Sequence, residues 1–289
     1  MSTDESKIYK NYLESPLRSV KYDSYFTAYE KVLNKFIGKK VTLVEIGVHN
    51  GGSLYMWKNY LGENARIIGI DLNPAAKQFE KDGFEIFIGD QGDIQFWKDF
   101  FNKIGKVDIV IDDGGHTYDQ QILTLNSCIK NINSSGVLIT EDVHTSYFKS
   151  FGYPSKYSFV NWSKKIIDNI NSRSKNVKTN ENIYTKSIES VEFFESIIVF
   201  NINHNIPIKS TDVSNNGVTA NLEDYRYKSK FLNNITQKIN NQENKESLKF
   251  KKTIFSKMKL RILSILREYI LWFFNKLTLN KSKKLFNID

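Results

Sequence analysis

Two short acidic segments, "IDDGGH" and "TEDVH", each follow an apolar run that is typical of a buried strand. Asp112 and Asp113 come directly after the run 107–111, and His116 follows three residues later. Turn formation alone would account for adjacent aspartates before two glycines. Carboxylates beside a histidine also have the composition of a cation and proton-transfer site. The residues that lie beside them in the fold decide between these two interpretations.

The second acidic segment contains Glu141, Asp142 and His144. In a parallel sheet of order 3-2-1-4-5, the strands before the two segments are neighbours, so Asp113, Glu141 and Asp142 are expected to converge. Converging carboxylates repel one another unless a cation is present, and an all-oxygen set suits Mg²⁺. We therefore predict a Mg²⁺ site formed by these three residues. His116 is then placed to act as a general base, and His144 as a substrate contact or second base.

A glycine-rich loop, "EIGVHNGGS", follows the first predicted strand. Gly47 and Gly51 allow the backbone to turn tightly and to approach a ligand, and Ser53 lies at the start of the following helix. A dinucleotide fingerprint would need a glycine at the position of His49, which argues against NAD. We predict that Gly47, Gly51 and Ser53 contact a different cofactor.

Polar side chains at the ends of the predicted strands fit a nucleoside that carries an amino-acid group. Glu45 can accept from an ammonium group, Asp71 can bind both hydroxyls of a ribose, and Asp90 with Gln91 is placed for an adenine edge. Asp112 is expected to lie near the sulfonium or methionine part. Ribose, adenine and ammonium together describe S-adenosylmethionine. Helix capping is the alternative for these acids, but it does not explain a glutamate inside a strand.

Short β-branched runs alternate with amphipathic segments through the first two hundred residues, a pattern typical of a parallel sheet covered by helices. The predicted strands are 41–48, 65–72, 84–90, 107–113 and 136–143, with a further pair within 190–203. We predict a doubly wound, Rossmann-like α/β domain over 41–203. Residues 1–40 are expected to form a helical cover, in which Lys21, Tyr22 and Tyr25 fit surface packing better than contact with a ligand.

The positive charge of the chain lies at its C-terminal end. The net charge is +9, and residues 249–289 contain eleven basic and two acidic residues, which leaves thirty of each elsewhere. Apolar residues recur in this tail at helical spacing, which predicts a basic amphipathic helix. The polar stretch 204–248 before it is interpreted as a linker or peripheral segment. The longest apolar run, 269–274, is far shorter than the about 20 residues of a membrane span.

Contact with the surface of a membrane is our interpretation of the tail. Packing on its own domain and a dimer interface are the alternatives, so a homo-oligomer stays open. Nucleic-acid binding is disfavoured because no recognition motif accompanies the charge. The single cysteine, Cys128, excludes an internal disulfide, and no apolar run opens the chain. We expect a cytoplasmic protein that lies peripherally on the inner face of the cytoplasmic membrane.

Four segments carry a resemblance to a known family: "VTLVEIGVHNGGSLYMWKNYLGENARIIGIDLNP", "IGDQGD", "IDDGGH" and "GVLITEDVHTSY". They resemble the metal-dependent class I methyltransferases that methylate sugar hydroxyls, best known from the mycinamicin and macrocin O-methyltransferases. The resemblance covers about residues 20–202 and implies that Asp113, Glu141 and Asp142 hold the metal and that His116 is the general base. His49 departs from the family pattern, since many methyltransferases have a glycine there.

The sequence therefore predicts an S-adenosylmethionine-dependent and Mg²⁺-dependent O-methyltransferase that acts on a sugar hydroxyl. We expect the acceptor to belong to a cell-surface polysaccharide, a capsule or a lipid-linked or nucleotide-linked glycan. Two alternatives stay open. One is methylation of a small secondary metabolite such as a macrolide-type sugar, and the other is a non-catalytic methyltransferase-like scaffold at the membrane.

Overall fold

The structure, a computed structural model, describes residues 6–215, 217–218, 234–235, 237–242 and 254–286 of the 289-residue chain. They belong to two compact units, Met1–Val213 and Ser214–Asp289. Residues 1–5 of the predicted cover, most of the predicted linker, and residues 249–253 and 287–289 of the predicted tail lie outside the described residues.

The first unit alternates helices with strands in the order that the sequence predicts. Its described helices are α1 (Lys7–Leu13), α2 (Asp23–Leu33), α3 (Gly52–Leu61), α4 (Ile94–Ile104), α5 (Tyr118–Cys128), α6 (Phe159–Asn171) and α7 (Ile183–Ser187). Its strands are β1 (Thr42–Ile46), β2 (Arg66–Asp71), β3 (Glu85–Ile88), β4 (Val107–Asp112), β5 (Ile132–Thr140), β6 (Ile188–Phe194) and β7 (Ile197–Ile202). Short 3-10 helices cover Asn34–Phe36, Pro74–Asp82, Val143–Tyr147 and Lys149–Phe151.

The seven strands form one sheet in the order β3-β2-β1-β4-β5-β7-β6. The first five strands run parallel, and β7 pairs antiparallel with both β5 and β6. The predicted doubly wound α/β class and the order 3-2-1-4-5 are confirmed. Strand β5 begins four residues earlier than predicted, because Ile132 already pairs with Val107 of β4, ahead of a shift in register between Val107 and Ile109.

Alternate residues of the central strands face two separate layers of the core. Leu43 of β1 packs with α1, α2 and α3, whereas its neighbour Val44 packs with α4, α5 and α6 on the opposite face. The side chains of a strand alternate between the two faces of a sheet, so a strand covered on both sides must be apolar throughout. Glu45 interrupts this apolar run on the face of β1 that packs against α3, so its carboxylate is expected to have polar partners there.

The described part of the second unit contains a long helix, α8 (Ile254–Phe286), which confirms the predicted C-terminal helix. Within the ranges that the structure describes, no helix combines the length and the apolar character needed to cross a membrane.

Helix α4 offers a test of the packing on one face of the sheet. Phe100 is 2% exposed, and its ring meets that of Phe87 edge to face at a centroid distance of 5.0 Å. We expect Phe100→Ala to lower the free energy of unfolding by about 3–5 kcal/mol, because it removes a buried ring. Ile94→Ala on the same helix is the control, since Ile94 is 56% exposed and its loss is expected to stay within about 0.5 kcal/mol. Urea unfolding measures both, and equal losses would contradict this packing.

Candidate active site

A cavity of about 710 Å³ lies at the carboxyl ends of the parallel strands. The loops that follow β1, β2, β3 and β4 each contribute to its wall, with Gly47, Asp71, Asp90 and Asp113 among the lining residues. Doubly wound sheets bind ligands at this edge, and the volume is in the range of small-molecule sites. The structure therefore brings four predicted strand ends to one cavity.

The loop after β1 is held close to the loop after β4. Gly47 has φ +86°, and a Cβ atom built on it would lie 2.0 Å from the backbone oxygen of Asp113. Gly51 has φ +82° and lies against the ring of Phe79. Only glycine combines these backbone angles with such close approach. Gly51 thus shapes the loop from behind, whereas Gly47 and Ser53 line the cavity itself.

Asp71 and Asp90 line the cavity at the ends of β2 and β3, as the sequence predicts. The carboxylate of Asp71 accepts the backbone N–H of His49 at 3.0 Å and that of Asn73 at 2.8 Å. Asp90 accepts the backbone N–H of Gly92 at 2.7 Å. These bonds hold both carboxylates at the wall of the cavity, where a ligand can reach them.

Glu45 lies behind the wall and is not among the residues that line the cavity, and its predicted contact with a cofactor stays a prediction. It is 0% exposed, and its two oxygens accept from the Ser53 hydroxyl and the Trp57 indole, each at 2.9 Å. The alternation of β1 points it towards α3, beside Leu43, and away from the cavity. Burial raises the pKa of Glu45 to about 7, although Lys21 and the two hydrogen bonds oppose the shift. Glu45 therefore supports the loop that Ser53 carries.

Gln91 and Asp112 tie the loop after β3 to the loop after β4. The Gln91 amide donates to Asp112 at 2.9 Å and to the Thr124 hydroxyl at 3.1 Å, and it accepts the Gly115 N–H at 2.8 Å. Asp112 is 1% exposed, and burial raises its pKa to about 6 against the hydrogen bond from Gln91. The Gln91 side chain is thus hydrogen-bonded within the protein at the wall of the cavity, and the Asp112 carboxylate is buried. Their predicted contacts with a cofactor stay predictions.

Asp113, Glu141 and Asp142 converge at the ends of β4 and β5. A buried lysine joins two of them, with the Lys21 ammonium 2.5 Å from Asp113 Oδ2 and 2.6 Å from Glu141 Oε2. Asp113, Asp142 and His116 each offer one ligand atom, and these atoms lie within 4.8 Å of one another. The structure thus adds His116 to the group of potential cation ligands, while one Glu141 oxygen is engaged by Lys21.

The side chain of Lys21 is 2% exposed. Burial on its own would lower its pKa, but the charges of Asp113 and Glu141 outweigh burial and raise the Lys21 pKa well above its usual value. Burial, followed by the charge of Asp113, raises the pKa of Glu141 above its usual range. The charge of Asp113 contributes to both directions, because a single ammonium faces two carboxylates and the group retains surplus negative charge.

Sequence reasoning missed Lys21 and Tyr25, which we expected to pack at the surface. The Tyr25 hydroxyl donates to Asp142 Oδ1 and accepts the Asp142 N–H at 3.2 Å. The bond between Tyr25 and Asp142 joins residues that are 117 positions apart in the sequence, and the bond between Lys21 and Asp113 joins residues that are 92 positions apart. The local sequence around Lys21 carries no pattern that would have revealed these partners.

His116 and Asp142 adopt left-handed backbone conformations, with φ +58° and +54°. Such angles are uncommon for residues other than glycine and are retained where the surrounding structure enforces them, often at functional sites. His116 Nε2 lies 3.6 Å from Asp142 Oδ2. The backbone therefore presents an imidazole and a carboxylate to each other at the edge of the cavity.

His144 lies outside the described cavity wall, so its catalytic role stays a prediction. Its Nδ1 bonds to the Ser196 hydroxyl, and its Nε2 lies 3.5 Å from the hydroxyl of Tyr22. Its ring also meets that of Phe148 edge to face at 5.0 Å. His144 can position Tyr22 near the acidic residues.

The donor atoms present fit a hard divalent cation. Among the described residues, Glu141 Oε1 is buried without a hydrogen-bond partner, which is costly for a carboxylate oxygen unless a cation is present. Asp113 and Asp142 add further oxygens, and Mg²⁺ prefers oxygen ligands. The structure is thus compatible with the predicted Mg²⁺ site.

The sheet order, the cavity at its carboxyl edge and the acidic residues beside it define the Rossmann-like fold of class I methyltransferases. A family model described as a methyltransferase domain matches residues 44–143, from β1 to the turn after β5. This part of the chain is similar to methyltransferase domains.

Curated relatives extend the comparison. The chain is 33% identical over 135 residues to the 8-demethyl-8-alpha-L-rhamnosyl tetracenomycin-C 2'-O-methyltransferase of Streptomyces olivaceus, covering 44% of this chain and 35% of that protein. It is 29% identical over 131 residues to the mycinamicin VI 2''-O-methyltransferase of Micromonospora griseorubida, covering 43% and 32%. The chain thus spans about a third of the length of these relatives. The resemblance to sugar O-methyltransferases is confirmed.

A solved structure shares the fold. The MycE methyltransferase from the mycinamycin pathway, in complex with Mg, SAH and mycinamycin VI, superposes with a TM-score of 0.62 at 20% identity. The match covers 79% of this chain and 58% of that protein.

Gly47 offers a test of the close approach between the two loops. Gly47→Ala is expected to lower the free energy of unfolding by about 3 kcal/mol, from backbone strain together with the clash at Asp113. Gly83→Ala is the matched control, because Gly83 has φ +88° but nothing within 4 Å of a built Cβ atom. Gly83→Ala should lower the free energy of unfolding only by the backbone strain, about 1 kcal/mol. Denaturant unfolding compares the two, and equal losses would show that the loops do not touch.

Proposed function

We propose that the protein is an S-adenosylmethionine-dependent O-methyltransferase that transfers a methyl group to a sugar hydroxyl with the help of Mg²⁺. The observation that carries this proposal is the group Asp113, His116 and Asp142 at the edge of the cavity. The methyltransferase domain and the named activities of the curated relatives support it.

S-Adenosylmethionine is the cofactor that we propose for the cavity. Asp71 would bind the ribose hydroxyls, and the backbone around Gly47 would approach the methionine part. Asp90, at the end of β3, would contact the edge of the adenine. The SAH in the MycE complex, which has the same fold, supports this assignment. Glu45 and Asp112 support the wall of the cavity, and their predicted contacts with the cofactor stay predictions.

The reaction forms a bond between the acceptor oxygen and the methyl carbon while the bond from that carbon to sulfur breaks. His116 would take the hydroxyl proton, because its Nε2 lies at the edge of the cavity beside Asp142. Asp113 and Asp142, with Glu141, would hold the Mg²⁺. When bound, this ion lowers the pKa of a coordinated hydroxyl. His144 and Tyr22 would contact the acceptor at the outer side of the acidic residues.

Two classes of sugar acceptor follow from different observations. One relative is named for a rhamnosyl group on tetracenomycin-C, and this favours a glycosylated metabolite. The C-terminal helix favours the second class, a lipid-linked glycan at a membrane, as the sequence predicts. The scaffold alternative requires that no acceptor be methylated.

Helix α8 carries an exposed apolar face. The large side chains on this face recur every three or four residues, and those exposed by 48% or more include Phe255, Met258, Ile262, Ile265, Leu266, Tyr269, Trp272 and Phe273. The helix sequence also contains eight Lys or Arg residues and one Glu. A second copy of the helix would bring like charges together, whereas an anionic lipid surface is complementary to both the charge and the apolar face. We propose that α8 attaches this cytoplasmic protein to the inner face of the cytoplasmic membrane.

His116→Ala is expected to lower turnover by about 10²–10⁴-fold while cofactor affinity stays within a factor of two or so, because a general base acts only in the chemical step. Transfer of labelled methyl groups and calorimetric binding of SAH measure the two quantities. His204→Gln is the control, since His204 bonds to Ser187 and Ile132 away from the cavity. Full turnover in His116→Ala would remove this residue as the base.

The same assay tests the function itself. A panel of nucleotide sugars, lipid-linked glycans and glycosylated polyketides is offered with and without a chelator. We expect transfer to at least one acceptor class and its loss in the chelator, with recovery after Mg²⁺ is added back. SAH binding without transfer to any acceptor would favour the scaffold, and transfer that ignores the chelator would reject the metal.

Co-sedimentation with vesicles tests the proposed membrane contact. We expect the full chain to bind anionic vesicles more tightly than neutral ones, and the Ile265→Ser, Trp272→Ser, Phe273→Ser triple variant to lose about tenfold or more in partitioning. The control replaces three exposed tyrosines of the first unit, Tyr147, Tyr153 and Tyr157, with serine. Equal binding of the two triple variants would reject α8 as the contact.

A further inference from the structure

The ammonium of Lys21 fills the space between two of the proposed cation ligands. It lies 2.5 Å from Asp113 Oδ2 and 2.6 Å from Glu141 Oε2, and its side chain is 2% exposed. These distances leave no room for a second ion between the same two oxygens. Lys21 therefore already supplies one positive charge to this carboxylate pair.

We propose that Lys21 is a built-in counter-ion of the cation site, which Mg²⁺ must displace in order to bind Asp113 and Glu141 together. This inference rests on the divalent cation in the function proposed above. It assigns Lys21 a positioning role, since the lysine acts on the carboxylates and not on the acceptor.

Displacement follows from distance and charge. Mg²⁺ binds oxygen ligands at about 2.0–2.1 Å and demands near-octahedral geometry. An ion at that distance from both oxygens would stand in contact with the ammonium, and two cations in contact within a buried site repel strongly. The buried Glu141 Oε1, which lacks a hydrogen-bond partner among the described residues, offers the incoming ion a further ligand.

Lys21 also anchors a stretch of chain that closes one side of the cavity. Residues 15–20, which precede it, lie over the first glycine-rich loop, with the Ser15 hydroxyl donating to the Gly52 carbonyl at 2.8 Å. A Cβ atom built on Gly52 would lie 2.4 Å from the Leu17 carbonyl oxygen. Arg18 and Val20 line the cavity. Release of Lys21 would therefore loosen a wall of the cofactor cavity, so that the cation and the cofactor sites are coupled through residues 15–21.

Calorimetric titration of Mg²⁺ into the full chain and into Lys21→Met tests the competition. The variant keeps most of the side-chain volume and removes the charge, so we expect it to bind Mg²⁺ at least about tenfold more tightly than the wild type. Lys31→Met is the matched control, because Lys31 forms an exposed ion pair with Glu192 at 2.6 Å, and its Mg²⁺ affinity should equal that of the wild type.

Each outcome of this titration either supports or overturns the proposed displacement of Lys21 by Mg²⁺. Binding by Lys21→Met alone supports the proposal, whereas equal or weaker binding than in the wild type, or binding by neither protein, overturns it. Because titration needs no turnover, a failed methyl-transfer assay would leave this result intact.

A second measurement uses the wild type and so does not depend on the stability of the variant. Trypsin cleaves after Lys and Arg, and we expect Mg²⁺ to accelerate cleavage after Arg18 and Lys21 in the absence of cofactor. Protection of these sites by Mg²⁺ would overturn the displacement.

Discussion

The convergence of Asp113, Glu141 and Asp142 at two neighbouring strand ends is the constraint on which the rest of the structure depends. Converging carboxylates, of which Glu141 is fully buried, are unfavourable without positive charge and hydrogen-bond donors. The chain supplies both from its N-terminal part, through the Lys21 ammonium and the Tyr25 hydroxyl. The segment between α1 and α2 is thereby held at the carboxyl edge of the sheet, where Arg18, Ser19 and Val20 close one side of the cavity.

Buried polar pairs behind the cavity wall extend the same principle. Glu45 is bound by an indole and a hydroxyl from α3, and Asp112 is bound by the Gln91 amide from the loop after β3. The first pair joins β1 to the helix after the glycine-rich loop, and the second joins the loop after β3 to the end of β4, so these elements keep their spacing around the cavity. A cavity whose walls are held in this way loses little conformational entropy when a cofactor binds.

Several elements could be predicted because their signals are local. The apolar runs of the five parallel strands, the glycines of the first loop and the acidic residues after β4 and β5 all lie within short windows, and the sheet rules then order the strands. The early start of β5 could not be predicted, because Ile132 pairs with Val107 ahead of a shift in register and polar residues separate it from the apolar run of the strand. The partners of Glu45 could not be predicted from its residue type alone, because they depend on the alternation of β1, which points the side chain towards Ser53 and Trp57 of α3.

The sequence by itself determined the fold class, the strand order, the edge at which the site forms and the basic, apolar character of the tail. These properties depend on periodicity and composition, which are written along the chain. Only the tertiary structure decided that the Lys21 ammonium lies between the carboxylates of Asp113 and Glu141 and that the Tyr25 hydroxyl bonds to Asp142. It also decided that His116 lines the cavity and His144 does not. The reason is physical: the Lys21 contacts join residues 92 and 120 positions apart, and the burial that makes them strong exists only once the sheet and the N-terminal helices have packed together.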